Sequence, residues 1–203
     1  MHKEILSDKQ NIMLPLIKKF YSDFGLVGGT ATALHLGHRR SIDFDLVSLK
    51  DLQSEKIKEE IKKFAGIENV MIDEKNELTL VTESVKLTFF KYPFKISFTV
   101  RFEDTINLPD LITLAAMKAY TLGRRAKWKD YVDLYFVLKQ YSIIDLIEKA
   151  KSIFINEFNE KLFREQLSYF DDIDYSEKID YIAGFAVSDE AVKEFLRNTS
   201  LQK

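Results

Sequence analysis

The stretch that decides the fold is FGLVGGTATALHLGHRRSIDFDLV, residues 24–47. A short apolar run is followed by two glycines, a group of good helix formers and a third glycine, which predicts a strand, a tight turn and a helix in that order. The hydroxyls of Thr30 and Thr32 can cap this helix, and Gly37 can end it. The stretch closes with a second strand, predicted over Ile42–Val47.

Two aspartates, Asp43 and Asp45, are expected on one face of that second strand, because side chains alternate along a strand. Ile42, Phe44 and Leu46 are expected on the other face. Carboxylates in this spacing are roughly 7 Å apart, and they repel each other unless a cation lies between them. Mg²⁺ or Mn²⁺ is the natural candidate, because these ions combine carboxylate oxygens with water and substrate phosphate. The alternative for a D-x-D pattern by itself is a solvated turn or sheet edge.

The glycine pair Gly28 and Gly29 predicts a phosphate site next to these aspartates. Backbone N–H groups at a glycine-rich turn that opens a helix bind anions, and the absence of a side chain lets phosphate approach the backbone. The run His38, Arg39 and Arg40 adds local positive charge beside the same turn. A phosphate site and a divalent-metal site are thus expected within one supersecondary unit.

The overall composition is that of a globular protein. Hydrophobic residues make up 46% of the 203 residues and charged residues 31%, while the net charge is only −2, so no global basic field would hold a long nucleic acid. The chain has no cysteine, which excludes disulfides and thiol chemistry. No apolar run long enough for a membrane span and no signal-peptide pattern is present, so we expect a cytoplasmic protein without a membrane partner.

Along the rest of the chain, periodicity predicts an α+β fold with a small mixed sheet and a helical carboxyl-terminal half. We place a boundary near Ile106, with an α/β core over 1–105 and a helical region over 106–203 that packs on the core and completes the site. The predicted helices are Lys3–Ser22, interrupted at Pro15, then Leu49–Ala65, Leu111–Leu122, 126–140, Ile143–Phe154, Phe158–Tyr169 and Glu190–Arg197. The predicted strands after residue 47 are Val70–Asp73, Leu78–Thr82, Val85–Tyr92 and Ile96–Phe102.

Lys118 is unusual because it lies in the middle of an apolar helical stripe that contains Leu111, Leu114 and Leu122. Its stem can pack while its ammonium reaches water. The alternative is that the ammonium enters a pocket and faces a phosphate, a role that suits a flexible point cation.

The next helix places Asp130 and Asp133 near its first turn, where the helix dipole favours acidic groups in any protein. Asp130 also projects toward the interior and is surrounded in sequence by Arg124, Arg125, Lys127 and Lys129. The sequence leaves both readings open: a helix-capping carboxylate, or one that orients Lys118 or a substrate hydroxyl.

Two segments together resemble the AbiEii-type nucleotidyltransferases. They are LVGGTATALHLGHRRSIDFDL and AAMKAYTLGRRAKWKDYVDLYFVL. These are the toxins of type IV toxin–antitoxin and abortive-infection systems, within the DNA-polymerase-β-like nucleotidyltransferase superfamily. The resemblance covers most of residues 24–138. It implies Mg²⁺ on Asp43 and Asp45 and a nucleoside triphosphate bound over Gly28–Thr30. The nucleoside monophosphate part of this substrate would be transferred to an acceptor.

The resemblance also implies roles for individual residues and partners. Lys118 and Asp130 match the later motifs of the family and join Asp43 and Asp45 as expected catalytic residues. The acceptor would be tRNA, whose 3′ ends some relatives use, or protein, and the cognate antitoxin would be a winged-helix protein. The residues expected to bind the nucleotide phosphates are Gly28, Gly29, Thr30, Arg40, Ser41 and Arg125.

One position departs from the superfamily pattern. Many relatives carry a third carboxylate on a neighbouring strand, and the residue expected there is Thr88, which cannot act as a general base. Either Asp130 or Glu103 would replace it. Two other functions remain open: a nucleotide-binding regulator or self-modifying protein of the same fold, and a protein-interaction module whose acidic pair merely lies on the surface.

Overall fold

A computed structural model describes residues 1–122, 124–125 and 127–202, and it confirms the predicted α+β class. A 3₁₀ turn over Lys3–Ile5 precedes the first helix, and a second one covers Ile155–Glu157. The strands are β1 (Gly25–Val27), β2 (Phe44–Ser48), β3 (Asn69–Glu74), β4 (Glu77–Thr82), β5 (Val85–Lys91), β6 (Val100–Phe102) and β7 (Ile106–Leu108). The helices are α1 (Asp8–Lys19), α2 (Gly28–Leu36), α3 (Ser54–Phe64), α4 (Leu111–Leu122), α5 (Trp128–Leu138), α6 (Ile143–Phe154), α7 (Glu160–Ser168) and α8 (Asp189–Ser200).

All the described strands form one mixed sheet in the order β3-β4-β5-β2-β1-β7-β6. Strand β2 is central, antiparallel to β1 and parallel to β5. Alternate residues of β5 face opposite sides of the sheet: the ring of Phe89 contacts Phe20 at the end of α1, whereas Thr88 and Phe90 line a cavity together with Leu114 of α4. The site predicted on β2 therefore lies between the sheet and α4.

Strand β2 is shorter than predicted, because it begins at Phe44 and not at Ile42. Ile42 is 68% exposed and precedes the strand, so it does not belong to the strand face on which it was expected with Phe44 and Leu46. The chain before β2 has partners outside the sheet. The N–H of Arg40 donates to the carbonyl of Asp180, and the hydroxyl of Thr30 donates to the carbonyl of Asp43. Asp43 is thus held in a loop just before the strand.

The region around the predicted boundary also differs from the prediction. Only the carboxyl end of Ile96–Phe102 forms a strand, while Phe98 lies against Gly25 at a position that a β-carbon there would occupy. Strand β7 follows after a tight turn, pairs with β6 and runs parallel to β1. The sheet therefore continues to Leu108, and the boundary predicted near Ile106 separates two strands of one hairpin. A three-residue strand carries too little alternation to be seen in sequence.

Helix ends follow the predicted pattern in part. Gly37 adopts a left-handed conformation with φ of 71° and ends α2, as predicted. The threonines do not cap that helix, because Thr32 bonds back to the carbonyl of Gly28 and Thr30 to the loop before β2. Pro15 lies inside α1, which begins at a capping box formed by Ser7 and Gln10. Ala126, the predicted start of the helix that contains α5, lies outside the described residues.

Within the described part of the chain, none of the helices combines the length and the apolar character that a membrane span requires.

Candidate active site

Asp45 occupies the middle of the sheet, paired in register with Val27 of β1 and with Thr88 of β5. Asp43 precedes it by two residues in the loop that leads into β2. Both side chains are partly buried, and Lys86 of β5 contacts the first of them, with its Nζ 2.6 Å from Oδ2 of Asp43. Central strands thus present both carboxylates at one end of β2.

The electrostatics of this pair favour a bound cation. Burial and the neighbouring Asp43 raise the pKa of Asp45, and the positive charges of Lys86, Arg125 and Lys118 oppose that rise only in part. A divalent ion would supply the missing compensation, and carboxylate oxygens are ligands that Mg²⁺ and Mn²⁺ accept. Among the described residues, no group of three or more His, Cys, Asp or Glu side chains forms a metal site. Any metal here would thus have two protein carboxylates and take its other ligands from water or substrate.

The glycine turn directly adjoins the carboxylates. Gly28 has φ of 72°, and a β-carbon on it would lie 2.2 Å from Oδ2 of Asp45. A β-carbon on Gly29 would lie 2.9 Å from Nη2 of Arg39 and 3.0 Å from the Ser41 hydroxyl. The two glycines therefore bring the backbone of the turn against a carboxylate on one side and against a guanidinium and a hydroxyl on the other. This is the arrangement expected of a phosphate site beside a metal site.

We expect Gly28→Ala to reduce phosphate and metal binding together. Alanine is strained in the left-handed backbone that this position requires, and its methyl group displaces the Asp45 carboxylate. We therefore expect a loss of roughly 1–3 kcal/mol in unfolding free energy and no measurable activity. Urea unfolding and a transfer assay would measure both effects. Gly184→Ala is the matched control, since Gly184 also has a positive φ, 89°, but, its chain neighbours aside, no atom of the described residues lies within 4 Å of its would-be β-carbon. Equal loss of activity in both variants would contradict this prediction.

A buried network of charges lies behind the glycine turn, centred on Asp133 of α5. The Arg39 guanidinium donates to both carboxylate oxygens, at 2.6 and 2.7 Å, and Nε2 of His38 lies 2.7 Å from Oδ1. Lys118 Nζ lies 2.8 Å from Oδ2. Burial by itself would raise the pKa of Asp133, but Arg39, Lys118 and the hydrogen bond from His38 hold it well below its usual range. Asp133 is therefore ionised and connects α5 to α4 and to the loop after α2.

Lys118 extends the same network toward the cavity. Its ammonium is 2.6 Å from Oδ1 of Asp130, whose other oxygen is 3.2 Å from Nε of Arg125. Burial would lower the pKa of Lys118, yet Asp130 and Asp133 outweigh it and raise that pKa. Only 5% of the Lys118 side chain is exposed, so the ammonium does not reach bulk water as a snorkelling lysine would. The lysine is a fixed, charged group inside the site.

A cavity of about 520 Å³ adjoins Asp45 between β4, β5 and α4. Most of its wall is apolar or aromatic, and the Tyr92 hydroxyl is buried there without a hydrogen-bond partner among the described residues. Burial raises the pKa of Tyr92 far above its ordinary value, so this hydroxyl stays protonated and can donate to a ligand. The residues that line the cavity include Gly28, Asp45, Glu77, Lys86, Thr88, Phe90, Lys118 and Arg125.

Several predicted residues lie elsewhere or act differently. The guanidinium of Arg40 faces Asp180 and the carbonyl of Glu4, while that of the preceding residue, Arg39, contacts the glycine turn. Thr30 is only 1% exposed, and its hydroxyl donates to the carbonyl of Asp43 and so holds the loop there. Asp130 neutralises Lys118. Glu103, a candidate for the third carboxylate, lies exposed in the β6–β7 turn at the far side of the sheet from β5, paired with Lys3.

Two residues of the site, Glu77 and Lys86, were not singled out from the sequence, and the contact between Arg39 and Asp133 was not predicted. Lys86 had a local signal, because it is two residues before Thr88 and shares its strand face. Glu77 is the first residue of β4 and lay just outside the predicted strand Leu78–Thr82. Arg39 and Asp133 contact each other across 94 residues, which no local pattern reveals.

Comparison with known proteins identifies the family of this chain. A family model described as the nucleotidyl transferase AbiEii toxin of type IV toxin–antitoxin systems matches residues 18–198. The chain belongs to this family. The resemblance seen in the sequence is confirmed, and membership of this family makes the protein a nucleotidyltransferase toxin with an antitoxin as the implied partner.

Individual relatives of this AbiEii protein are distant. An uncharacterised Aquifex aeolicus protein, aq_aa25, is 28% identical over 158 residues, which cover 74% of this chain and 75% of the relative. MenT4, a nucleotidyltransferase toxin from Mycobacterium tuberculosis, superposes with a TM-score of 0.59 at 13% identity, covering 95% of this chain and 80% of MenT4. JHP933 from Helicobacter pylori gives a TM-score of 0.58 at 16% identity, covering 96% of this chain and 91% of JHP933. At such identities the two structures support the fold.

Proposed function

We propose that this AbiEii-family protein transfers a nucleoside monophosphate from a nucleoside triphosphate to an acceptor, with Mg²⁺ or Mn²⁺ held by Asp43 and Asp45. The observation that carries the proposal is the close approach of the glycine turn to a partly buried carboxylate, since a β-carbon on Gly28 would lie 2.2 Å from Asp45. A triphosphate seated on the turn would have its phosphates beside the carboxylates. A metal ion bound there would neutralise charge that develops on the phosphate oxygens.

The protein's own groups supply the rest of the phosphate site. Backbone N–H groups at the start of α2 face the anion, and the Arg39 guanidinium and the Ser41 hydroxyl lie beside Gly29. Lys118 and Arg125 line the adjoining cavity with positive charge. These groups are held in place by Asp130 and Asp133, so little reorganisation is needed when charge increases in the transition state.

The reaction follows from this seating. An acceptor hydroxyl attacks the α-phosphorus, its oxygen–phosphorus bond forms as the bond to the bridging oxygen breaks, pyrophosphate leaves, and the proton of the hydroxyl passes to water. The cavity of about 520 Å³ beside Asp45 is large enough for one nucleoside, and Phe90 offers an aromatic surface for a base. We propose tRNA or protein as the acceptor, a winged-helix antitoxin as the partner, and the cytoplasm as the place of action.

Labelled nucleotides test the transfer directly. With α-labelled triphosphates, Mg²⁺ and total RNA or protein, we expect label on the acceptor and release of unlabelled pyrophosphate. With γ-labelled triphosphates we expect label only in pyrophosphate. Gel autoradiography and thin-layer chromatography would distinguish the two. Transfer of the γ-label, or undiminished α-label transfer by Asp43→Ala, would contradict nucleotidyl transfer at this site.

Thr88 favours a second candidate function. Its register opposite Asp45 places a residue that cannot serve as a general base where a third carboxylate was sought. A protein of this fold that binds a metal–nucleotide complex without transferring it to another molecule would tolerate that residue. Calorimetry showing tight Mg²⁺–nucleotide binding, together with no label on any acceptor, would favour this function over transfer.

A further inference from the structure

Lys86 occupies an unusual position beside the two carboxylates. It lies on β5 two residues before Thr88, on the same strand face, and Thr88 is directly opposite Asp45. Its ammonium is 2.6 Å from Oδ2 of Asp43. This contact forms at the side of the pair away from the glycine turn, because β5 and β1 flank β2 on opposite sides. A lysine cation therefore already lies where a metal ion could contact Asp43.

The number of protein ligands at the carboxylate pair fits one metal ion. The carboxylate pair has no third His, Cys, Asp or Glu side chain to form a larger group within the described part of the chain. Two metal ions that are about 3.5–4 Å apart would need bridging and flanking oxygens from several carboxylates. When Asp43, Asp45 and Lys86 are all ionised, their side chains carry a net charge of about −1. One divalent ion changes this net charge to about +1, whereas two would raise it to about +3.

This ion pair differs from an ordinary surface pair on the same strand. Lys91 ends β5 and also contacts an aspartate at 2.6 Å, and its side chain is as exposed as that of Lys86, at 37% and 38%. The partner of Lys91 is Asp51, which is 74% exposed, whereas Asp43 is 23% exposed and adjoins the partly buried carboxylate of Asp45. Only the Lys86 pair belongs to the carboxylate site.

We propose that Lys86 fills one of two cation positions at the carboxylate pair, so that Asp43 and Asp45 bind a single divalent ion with the triphosphate. The inference rests on the proposed nucleotidyl transfer and defines the metal content of the same site. On the β5 side Lys86 would offer its N–H donors to the acceptor hydroxyl or to an α-phosphate oxygen, as a point cation does. The residue thereby takes over the charge of a second metal ion, and the absence of a carboxylate at Thr88 is accounted for.

Counting bound Mn²⁺ by electron paramagnetic resonance tests the proposal without turnover. The intact protein is titrated with Mn²⁺ in the presence of a non-hydrolysable α,β-methylene triphosphate. We expect one Mn²⁺ per wild-type chain and a second ion, at millimolar Mn²⁺, in Lys86→Met. Lys86→Arg, which keeps the positive charge, and Lys91→Met, the matched surface pair, are both expected to bind one ion.

The outcomes separate this inference from the proposed function. Two Mn²⁺ ions in the wild-type complex would overturn the role of Lys86 and leave the metal–nucleotide site intact, as would a Lys86→Met variant that still binds one ion with unchanged affinity. If neither wild type nor any variant bound Mn²⁺ with the triphosphate, the metal site and the role of Lys86 would both be overturned. The wild-type count decides the matter even where a variant does not fold.

Discussion

Asp45→Asn is expected to abolish nucleotidyl transfer while leaving the protein folded. The amide keeps the shape of the side chain against Gly28 but removes the negative charge that would bind the metal ion. Loss of metal-ion stabilisation costs several kcal/mol in the transition state, which corresponds to a fall of about 10³-fold or more in rate. A transfer assay with α-labelled triphosphate would measure it.

The same substitution should not weaken the fold. Because burial and Asp43 raise the pKa of Asp45, its ionised form is less favourable in the folded protein than in the unfolded chain. The ionised carboxylate therefore destabilises the fold at neutral pH, and Asn removes that cost. We expect the free energy of unfolding of Asp45→Asn to equal or exceed the wild-type value in urea. Asp51→Asn is the control, an exposed aspartate paired with Lys91, and it should keep full activity. Wild-type activity in Asp45→Asn would refute the proposed site.

Asp133→Asn is expected to cause the largest loss of stability. Asp133 is completely buried and bonds Arg39, His38 and Lys118 at once. Without its charge, the buried Arg39 loses the carboxylate to which it donates twice, and Lys118 keeps its contact with Asp130 but loses the second one. Breaking a buried ion pair by removing one partner costs about 3–5 kcal/mol. Urea unfolding followed by circular dichroism would measure the loss, and Asp104→Asn, in an exposed pair with Arg101, should leave the unfolding free energy nearly unchanged.

The pH dependence of stability should change with it. The pKa of Asp133 is lower in the folded protein than its ordinary value of 3.8. Its contribution is therefore fully present above that value and is lost as the pH falls through the folded-state pKa. Wild type should lose stability more steeply than Asp133→Asn below about pH 4. Parallel curves for the two proteins over this acid range would mean that Asp133 does not stabilise the fold through its charge.

The parts of the site that the sequence revealed are those coded by neighbouring residues. Strand alternation indicated that Asp45 faces away from Phe44, and the glycine pattern indicated both the turn at Gly28 and the helix end at Gly37. Lys118 was recognisable because a charge in the middle of an apolar helical stripe is itself an anomaly. In each case the sequence signal comes from residues of a single helix, strand or turn.

The parts that the sequence missed depend on distant pairing. Arg39 and Arg40 are adjacent residues of the same type, so the sequence does not show which of them enters the site. The hydrogen bond from Arg40 N–H to the carbonyl of Asp180 holds this segment so that Arg39 faces the glycine turn. The role of Asp133 requires Arg39 to be its neighbour in space. Strand β7 exists because β1 offers it an open edge, and its own three residues carry too little pattern to predict a strand.

The hydrogen bond from Thr30 to the carbonyl of Asp43 joins the first turn of α2 to the loop before β2. A movement of either segment therefore pulls on the other, and the anion-binding and cation-binding halves cannot adjust independently. Ligands that each hold this joint in the same arrangement must strengthen one another's binding, by equal factors in both directions. Metal and nucleotide would then enter the AbiEii protein as thermodynamically linked ligands.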